Sequence, residues 1–143
     1  MELKPIDAQG HQLEEKAADA WLRLKAAAEA EGFGVVVHSA TRDAEKQKEL
    51  FGAYVKAMAM WMRTGSVPEK KPKPVAKPNT SEHERGIAVD TDVTDPKFLQ
   101  WLKLNSTTYG FYFSALREFW HLGHYADGPP PHLLERHISN LRG

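Results

Sequence analysis

Between Gly65 and Thr80 the chain interleaves Pro68, Pro72, Pro74 and Pro78 with Lys70, Lys71, Lys73 and Lys77. Proline fixes φ and lacks a backbone N–H, so this stretch is expected as a long, extended, solvated loop. Regular structure must come from the residues on either side. Upstream, Leu13, Ala17, Trp21, Leu24 and Ala28 recur at three- and four-residue steps, which predicts an amphipathic helix over Leu13–Glu31, stopped by Gly32 and Gly34. The β-branched triplet Val35–Val37 predicts a short buried strand whose end delivers His38 to Arg42 to a loop. A second helix is expected over Asp43–Met62, capped by Thr41 or Asp43, with Leu50, Phe51, Tyr54, Val55, Met58 and Trp61 on its apolar face.

Downstream of the loop the pattern turns to strands. Gly86–Asp92 alternates, with Ile87 and Val89 on one face and Ala88 and Asp90 on the other. Asp95-Pro96 opens a third helix with Phe98, Trp101, Leu102 and Leu104 inward, and Gly110–Phe113 and Trp120–Tyr125 read as two more strands. Gly128 and prolines 129 to 131 precede a short helix over His132–Leu141. The expected class is α+β: one domain over residues 1–143, with N-terminal helices covering one side of a small antiparallel sheet.

Composition narrows the function. A length of 143 residues suits one domain, since domains run ~100–200 residues. The chain is 41% hydrophobic and 27% charged, and no apolar run approaches the ~18 residues of a membrane span, so no span is expected. Lysine plus arginine and aspartate plus glutamate number 19 each. The formal net charge of zero gives no global attraction to nucleic acid, so no nucleic-acid partner is expected. The absence of cysteine excludes disulfide frameworks, thiolate zinc sites, iron–sulfur clusters and cysteine nucleophiles. A metal site must use histidine and carboxylate. Common catalytic signatures are missing too: there is no P-loop, no G-x-S-x-G and no dinucleotide fingerprint. His83-Glu84 begins like the zinc-protease helix motif, but Ile87 stands where its second histidine is required.

What remains is Ser81, His83, Gly86, Ala88 and Asp90 in the pattern S-x-H-x-x-G-x-A-x-D, followed by Glu118-Phe119-Trp120-His121, an E-x-W-H. This pair of motifs resembles the LAS metallopeptidases, the group of lysostaphin, D-alanyl-D-alanine peptidases and Sonic hedgehog, and most closely its D-alanyl-D-alanine carboxypeptidase branch. The resemblance extends to Ser39-Ala40-Thr41-Arg42 with Gln47 and Leu50-Phe51, and to Tyr109-Gly110-Phe111, covering roughly residues 35 to 125. Ala40-Thr41 stand where that group often has Gly-Tyr.

The resemblance implies a hedgehog/DD-peptidase-like sheet and one zinc ion bound by His83, Asp90 and His121. The chemistry agrees: zinc accepts imidazole nitrogen and carboxylate oxygen at ~2.0–2.2 Å, and three protein ligands leave a fourth position for water. Water there has a pKa of ~7, so hydrolysis needs no protein nucleophile. By the same comparison Glu118 is the general base, with a supporting hydrogen bond to a ligand histidine as its alternative role. Arg42 would bind a substrate carboxylate or steady the oxyanion, and Ser81 and Gln47 would hydrogen-bond substrate. Trp120 either packs beneath the site or walls a substrate groove. His124 is expected to face away from His121, supporting a ligand or lying at the surface, while His11, His38, His132 and His137 carry no spacing argument.

The expected function is zinc-dependent hydrolysis of a peptide bond in the peptidoglycan stem, with removal of a terminal D-alanine leading. An L-alanyl-D-glutamate-cleaving lysin is the nearest enzymatic alternative. A zinc-containing binding module, hedgehog-like and non-catalytic, is the alternative from another class. The expected partner is a stem peptide and the expected state a monomer. Met1–Gly10 lacks the apolar core of a secretory signal, so cytoplasmic synthesis and action at the cell wall or periplasm after release or delivery is expected.

Overall fold

The first helix begins where a side chain can hold its first turn. Glu14 accepts a hydrogen bond from the Ala17 N–H (2.7 Å), and helix α1 runs Glu15–Ala30 with Ala17, Ala18, Ala20, Trp21, Leu24 and Ala28 buried. It starts two residues later than its periodicity predicts, because Leu13 belongs to a strand. In this computed structural model, which describes residues 1–75 and 81–143, strands β1 (Leu3–Pro5) and β2 (Gln12–Glu14) form an antiparallel hairpin with Lys4 opposite Leu13. Asp7 shapes its turn by accepting from the Gln9 and His11 N–H groups. Three-residue strands of mixed polarity carry no readable period, so the sequence concealed this hairpin.

The chain divides into two compact units, Met1–Thr41 with Arg85–Gly143, and Arg42–Glu84. The first holds a four-stranded antiparallel sheet: β3 (Val37–Ser39), β4 (Ala88–Thr91), β5 (Phe111–Tyr112) and β6 (His121–His124), in the order β3-β4-β6-β5. The expected strand at Val35–Val37 lies two residues further on, so His38 sits on a strand and not in a loop. Val36 is exposed and Val37 buried, which is the alternation of an edge strand with one neighbour rather than a continuous buried run. The central strands β4 and β6 supply Ala88, Val89, Thr91 and Leu122 to the interior.

α1 lies on this sheet, with Trp21 meeting Phe111 edge-on at 5.4 Å between ring centroids. Helix α3 (Pro96–Asn105), capped by Asp95, adds Phe98 and Leu102 to the same core. Leu104, expected inward, is 71% exposed, because it falls off the face shared by Phe98 and Leu102. A 3₁₀ turn over Ser106–Tyr109 leads to Gly110, whose φ of +77° and close approach to the His124 ring leave no room for a Cβ. Helix α4 (Pro131–Arg142) closes the unit, one residue longer at each end than expected.

In the second unit, helix α2 (Ala44–Thr64) takes Asp43 as its cap, with the carboxylate accepting from the Lys46 N–H (2.7 Å). It ends at Gly65 in the left-handed region. Its apolar face is less buried than its pattern predicts: Leu50, Phe51, Tyr54, Met58 and Trp61 are half-buried and Val55 is exposed, whereas polar Gln47 is 1% exposed. Residues 66–75 form no helix or strand, as the prolines predict, and Lys71 lies over the Trp61 ring. The rest of the expected loop, including Lys77 and Pro78, lies outside the described residues. No helix among the described residues is long and apolar enough to cross a membrane.

Candidate metal centre and catalytic residues

Strand register builds the first part of the site. β4 and β6 pair so that Asp90 stands opposite His121, Val89 opposite Leu122 and Ala88 opposite Gly123. Side chains alternate across a strand, so Asp90 and Ala88 share a face while Val89 turns into the core. Directly opposed side chains lie close, and His121 Nδ1 is 3.0 Å from Asp90 Oδ1. Both side chains are largely withdrawn from water, at 10% and 15% exposure. An imidazole nitrogen and a carboxylate oxygen brought together in this way, with no thiolate in the chain, form a donor set suited to zinc.

Glu118 is tied to His121 through the backbone. Its N–H donates to the Ala115 carbonyl (3.1 Å), and its own carbonyl accepts from the His121 N–H (3.0 Å), so Glu118 is locked to the turn that starts β6. Its side chain is half-buried. Trp120 is also half-buried, and its carbonyl accepts from the Thr91 N–H (2.8 Å), which ties the E-x-W-H segment to β4. Of the two places expected for His124 the structure excludes the surface: its ring is buried against Phe111 with centroids 5.0 Å apart, and burial draws its pKa below the ordinary histidine value.

The second unit gathers the other candidates. Ser81 Oγ accepts from the His83 N–H (3.0 Å), and both residues are buried. The His83 carbonyl accepts from the Arg42 N–H (3.0 Å), and Arg42 Nη1 donates to Gln47 Oε1 at 3.4 Å. The structure therefore brings Ser81, His83, Arg42 and Gln47 into one hydrogen-bonded group. Ser81 fixes the backbone that presents the imidazole, and Gln47, buried on α2, orients the guanidinium. Just past this group, Gly86 adopts φ +73°, and its carbonyl accepts from the Glu14 N–H (2.8 Å). A Cβ there would lie 3.1 Å from that same nitrogen, so only glycine permits the approach.

Two buried residues were invisible to sequence reasoning. His137 Nδ1 accepts from the Phe113 N–H (3.0 Å), and Asn140 bonds to the segment that leads to Glu118. Their three-residue spacing on one helix face was the available signal; it was silent because both are polar and the face was read for apolar residues only.

Comparison with known proteins addresses the family and the fold. No curated protein matches the sequence. Among solved structures, the chain is similar to VanYB in complex with D-alanine-D-alanine, at 28% identity and TM-score 0.70 over 87% of this chain and 77% of that one. It is also similar to a vancomycin-resistance D,D-pentapeptidase VanY variant in complex with Zn(II), at 28% identity and TM-score 0.67 over 87% and 78%. A third is the L,D-carboxypeptidase DacB from Streptococcus pneumoniae, at 27% identity and TM-score 0.59 over 87% and 71%. The family model for VanY, described as D-alanyl-D-alanine carboxypeptidase, matches residues 10–129. The motif-bearing strands, helices α1 to α3 and the segment carrying Arg42 all fall within that match: the chain belongs to the VanY family of D-alanyl-D-alanine carboxypeptidases.

Proposed function

We propose that this chain removes the C-terminal D-alanine from a peptidoglycan stem peptide ending in D-alanyl-D-alanine. Its class is that of its family, a zinc metallopeptidase acting on peptidoglycan. In the proposal His83, Asp90 and His121 hold one zinc ion: two imidazoles and a carboxylate, in a chain without cysteine, are a donor set that zinc accepts. The observation that carries the reading is the β4–β6 register, which sets the Asp90 carboxylate against the His121 ring.

Zinc in such a site supplies Lewis-acid polarisation of the scissile carbonyl and acidifies water. The protein's own groups do the rest. Glu118, three residues before His121, takes a proton from the attacking water and returns it to the departing D-alanine amine. Arg42 receives the terminal carboxylate, the group that distinguishes a carboxypeptidase substrate from an internal peptide bond. Gln47 keeps the guanidinium in place for that contact. Ser81 holds the His83 backbone, and the half-buried Trp120, one residue before His121, is assigned to the substrate-binding side chains.

One relative is an L,D-carboxypeptidase, which makes removal of D-alanine from a shorter stem the second reading. Incubating the zinc-loaded protein with defined pentapeptide and tetrapeptide stems and weighing the products separates the two. Loss of one alanine from the pentapeptide alone supports the proposal; loss from the tetrapeptide alone transfers it to the second reading. An internal cut makes the chain an endopeptidase, and no product from any stem sinks the enzymatic reading.

A further inference from the structure

Arg117, immediately before Glu118, is the one non-glycine residue with positive φ among the described residues, at +62°. An L side chain disfavours that region, so the surroundings must hold the backbone there. Asn140 of α4 supplies the hold. Its Oδ1 accepts from the Arg117 N–H (2.8 Å), and its Nδ2 donates to the Phe113 carbonyl (3.1 Å) and the Ala115 carbonyl (3.0 Å). Asn140 is 2% exposed, so these are bonds made away from water. Two carbonyls and one N–H around a single side chain require an amide, and they fix which way it points.

The bonding continues to the site. The Ala115 carbonyl that Asn140 engages also accepts from the Glu118 N–H, and the Glu118 carbonyl accepts from the His121 N–H. One buried amide is thus two hydrogen bonds from the backbone of the proton-handling residue. His137, a turn earlier on α4, accepts from the Phe113 N–H and steadies the same segment at its start.

We propose that Asn140 is the positioning residue for Glu118. It keeps Arg117 left-handed, and that backbone angle sets where the Glu118 carboxylate points. The inference rests on the reading of Glu118 as the proton-transferring residue. A merely structural Asn140 would anchor α4 and affect stability, leaving turnover of the folded protein untouched.

The test compares Asn140→Ala, Arg117→Gly and their combination, with kcat, KM, zinc content and melting temperature measured for each on a D-alanyl-D-alanine-ended peptide. Asn140→Ala is expected to lower kcat about ten-fold or more with KM within about two-fold and zinc retained, as for a misplaced catalytic group. Glycine is at home at positive φ, so adding Arg117→Gly to Asn140→Ala should restore most of kcat without restoring the melting temperature. If Asn140→Ala does not fold, Arg117→Val strains the same backbone with Asn140 intact and should show the same kcat loss. Unchanged kcat in the folded variant, or a double variant no better than Asn140→Ala, overturns the positioning role. Glu118→Gln separates the two levels: if it keeps full kcat, the proton-transfer reading fails; if it is inactive while Asn140→Ala turns over normally, only the positioning role fails.

Discussion

The two compact units carry their candidate residues in opposite ways. In the first, Asp90 and His121 sit on paired central strands whose neighbours Val89 and Leu122 are fully buried. Their separation is set by the ladder itself, and moving either means breaking the sheet. In the second, Arg42, Ser81 and His83 lie outside regular structure and are held by local hydrogen bonds to one another and to Gln47. Sheet-borne groups are fixed by the core, whereas loop-borne groups are fixed by a few polar contacts and are easier to displace. Arg42 suits this division, since substrate capture tolerates adjustment, whereas His83, a proposed metal ligand borne on a turn, relies on the Ser81 bond to its backbone for a fixed position.

The largest effect should come from breaking the strand pair. Asp90→Ala or His121→Ala should strip zinc, measured by metal analysis, and reduce hydrolysis to background; a variant that keeps stoichiometric zinc and activity would remove the pair from the site. Glu118→Gln should retain zinc while kcat falls ~10²–10⁴-fold, the usual range for a lost general base. On the loop side the loss should appear in KM instead. Arg42→Ala removes a charge-assisted contact worth ~1.5–3 kcal/mol, so KM for a free-carboxylate substrate should rise roughly ten- to a hundred-fold, with little change for an amidated one. Equal effects on both substrates would mean that Arg42 serves the fold.

A smaller effect concerns pH. Burial lowers the pKa of His137 and of His124, both in the first unit. A histidine depressed in the folded state binds fewer protons there than when unfolded, so stability rises with pH through this window. Stability should be full above the unfolded value of ~6.5 and should decline as pH falls below it. Denaturant midpoints between neutral and mildly acid pH measure this, and His137→Gln should flatten its share of the slope. The smallest effect belongs to the second unit's helix: Asp43→Ala removes the α2 cap and should cost about 1 kcal/mol.

Much of the site was legible because its chemistry is written in residue types at fixed spacing. His83, Asp90, Glu118 and His121 stand out as polar groups inside strand and loop patterns, and their motifs identify the family before any geometry is known. Helices were legible from period and caps, with α2 bounded by Asp43 and Gly65. The β1–β2 hairpin was not, since three-residue strands fall below any detectable period. Leu104 was misplaced by reading apolar character without the helical angle. The burial of His124, His137 and Asn140 was not legible because a polar residue gives no local sign that it will be buried; partners such as Phe111 and Phe113 lie far away in sequence.

By itself the sequence determined the donor chemistry. Without cysteine, the side chains left to zinc are histidine and carboxylate, and the resemblance implies His83, Asp90 and His121. It also determined where the helices lie to within one or two residues at each end, because capping and period are local properties of neighbouring residues. Only the tertiary structure decided that Asp90 faces His121 at 3.0 Å, that Gln47 holds Arg42, and that Asn140 braces the turn before Glu118. Those relations depend on strand register and on long-range packing, which join residues up to dozens of positions apart and leave no periodic trace along the chain.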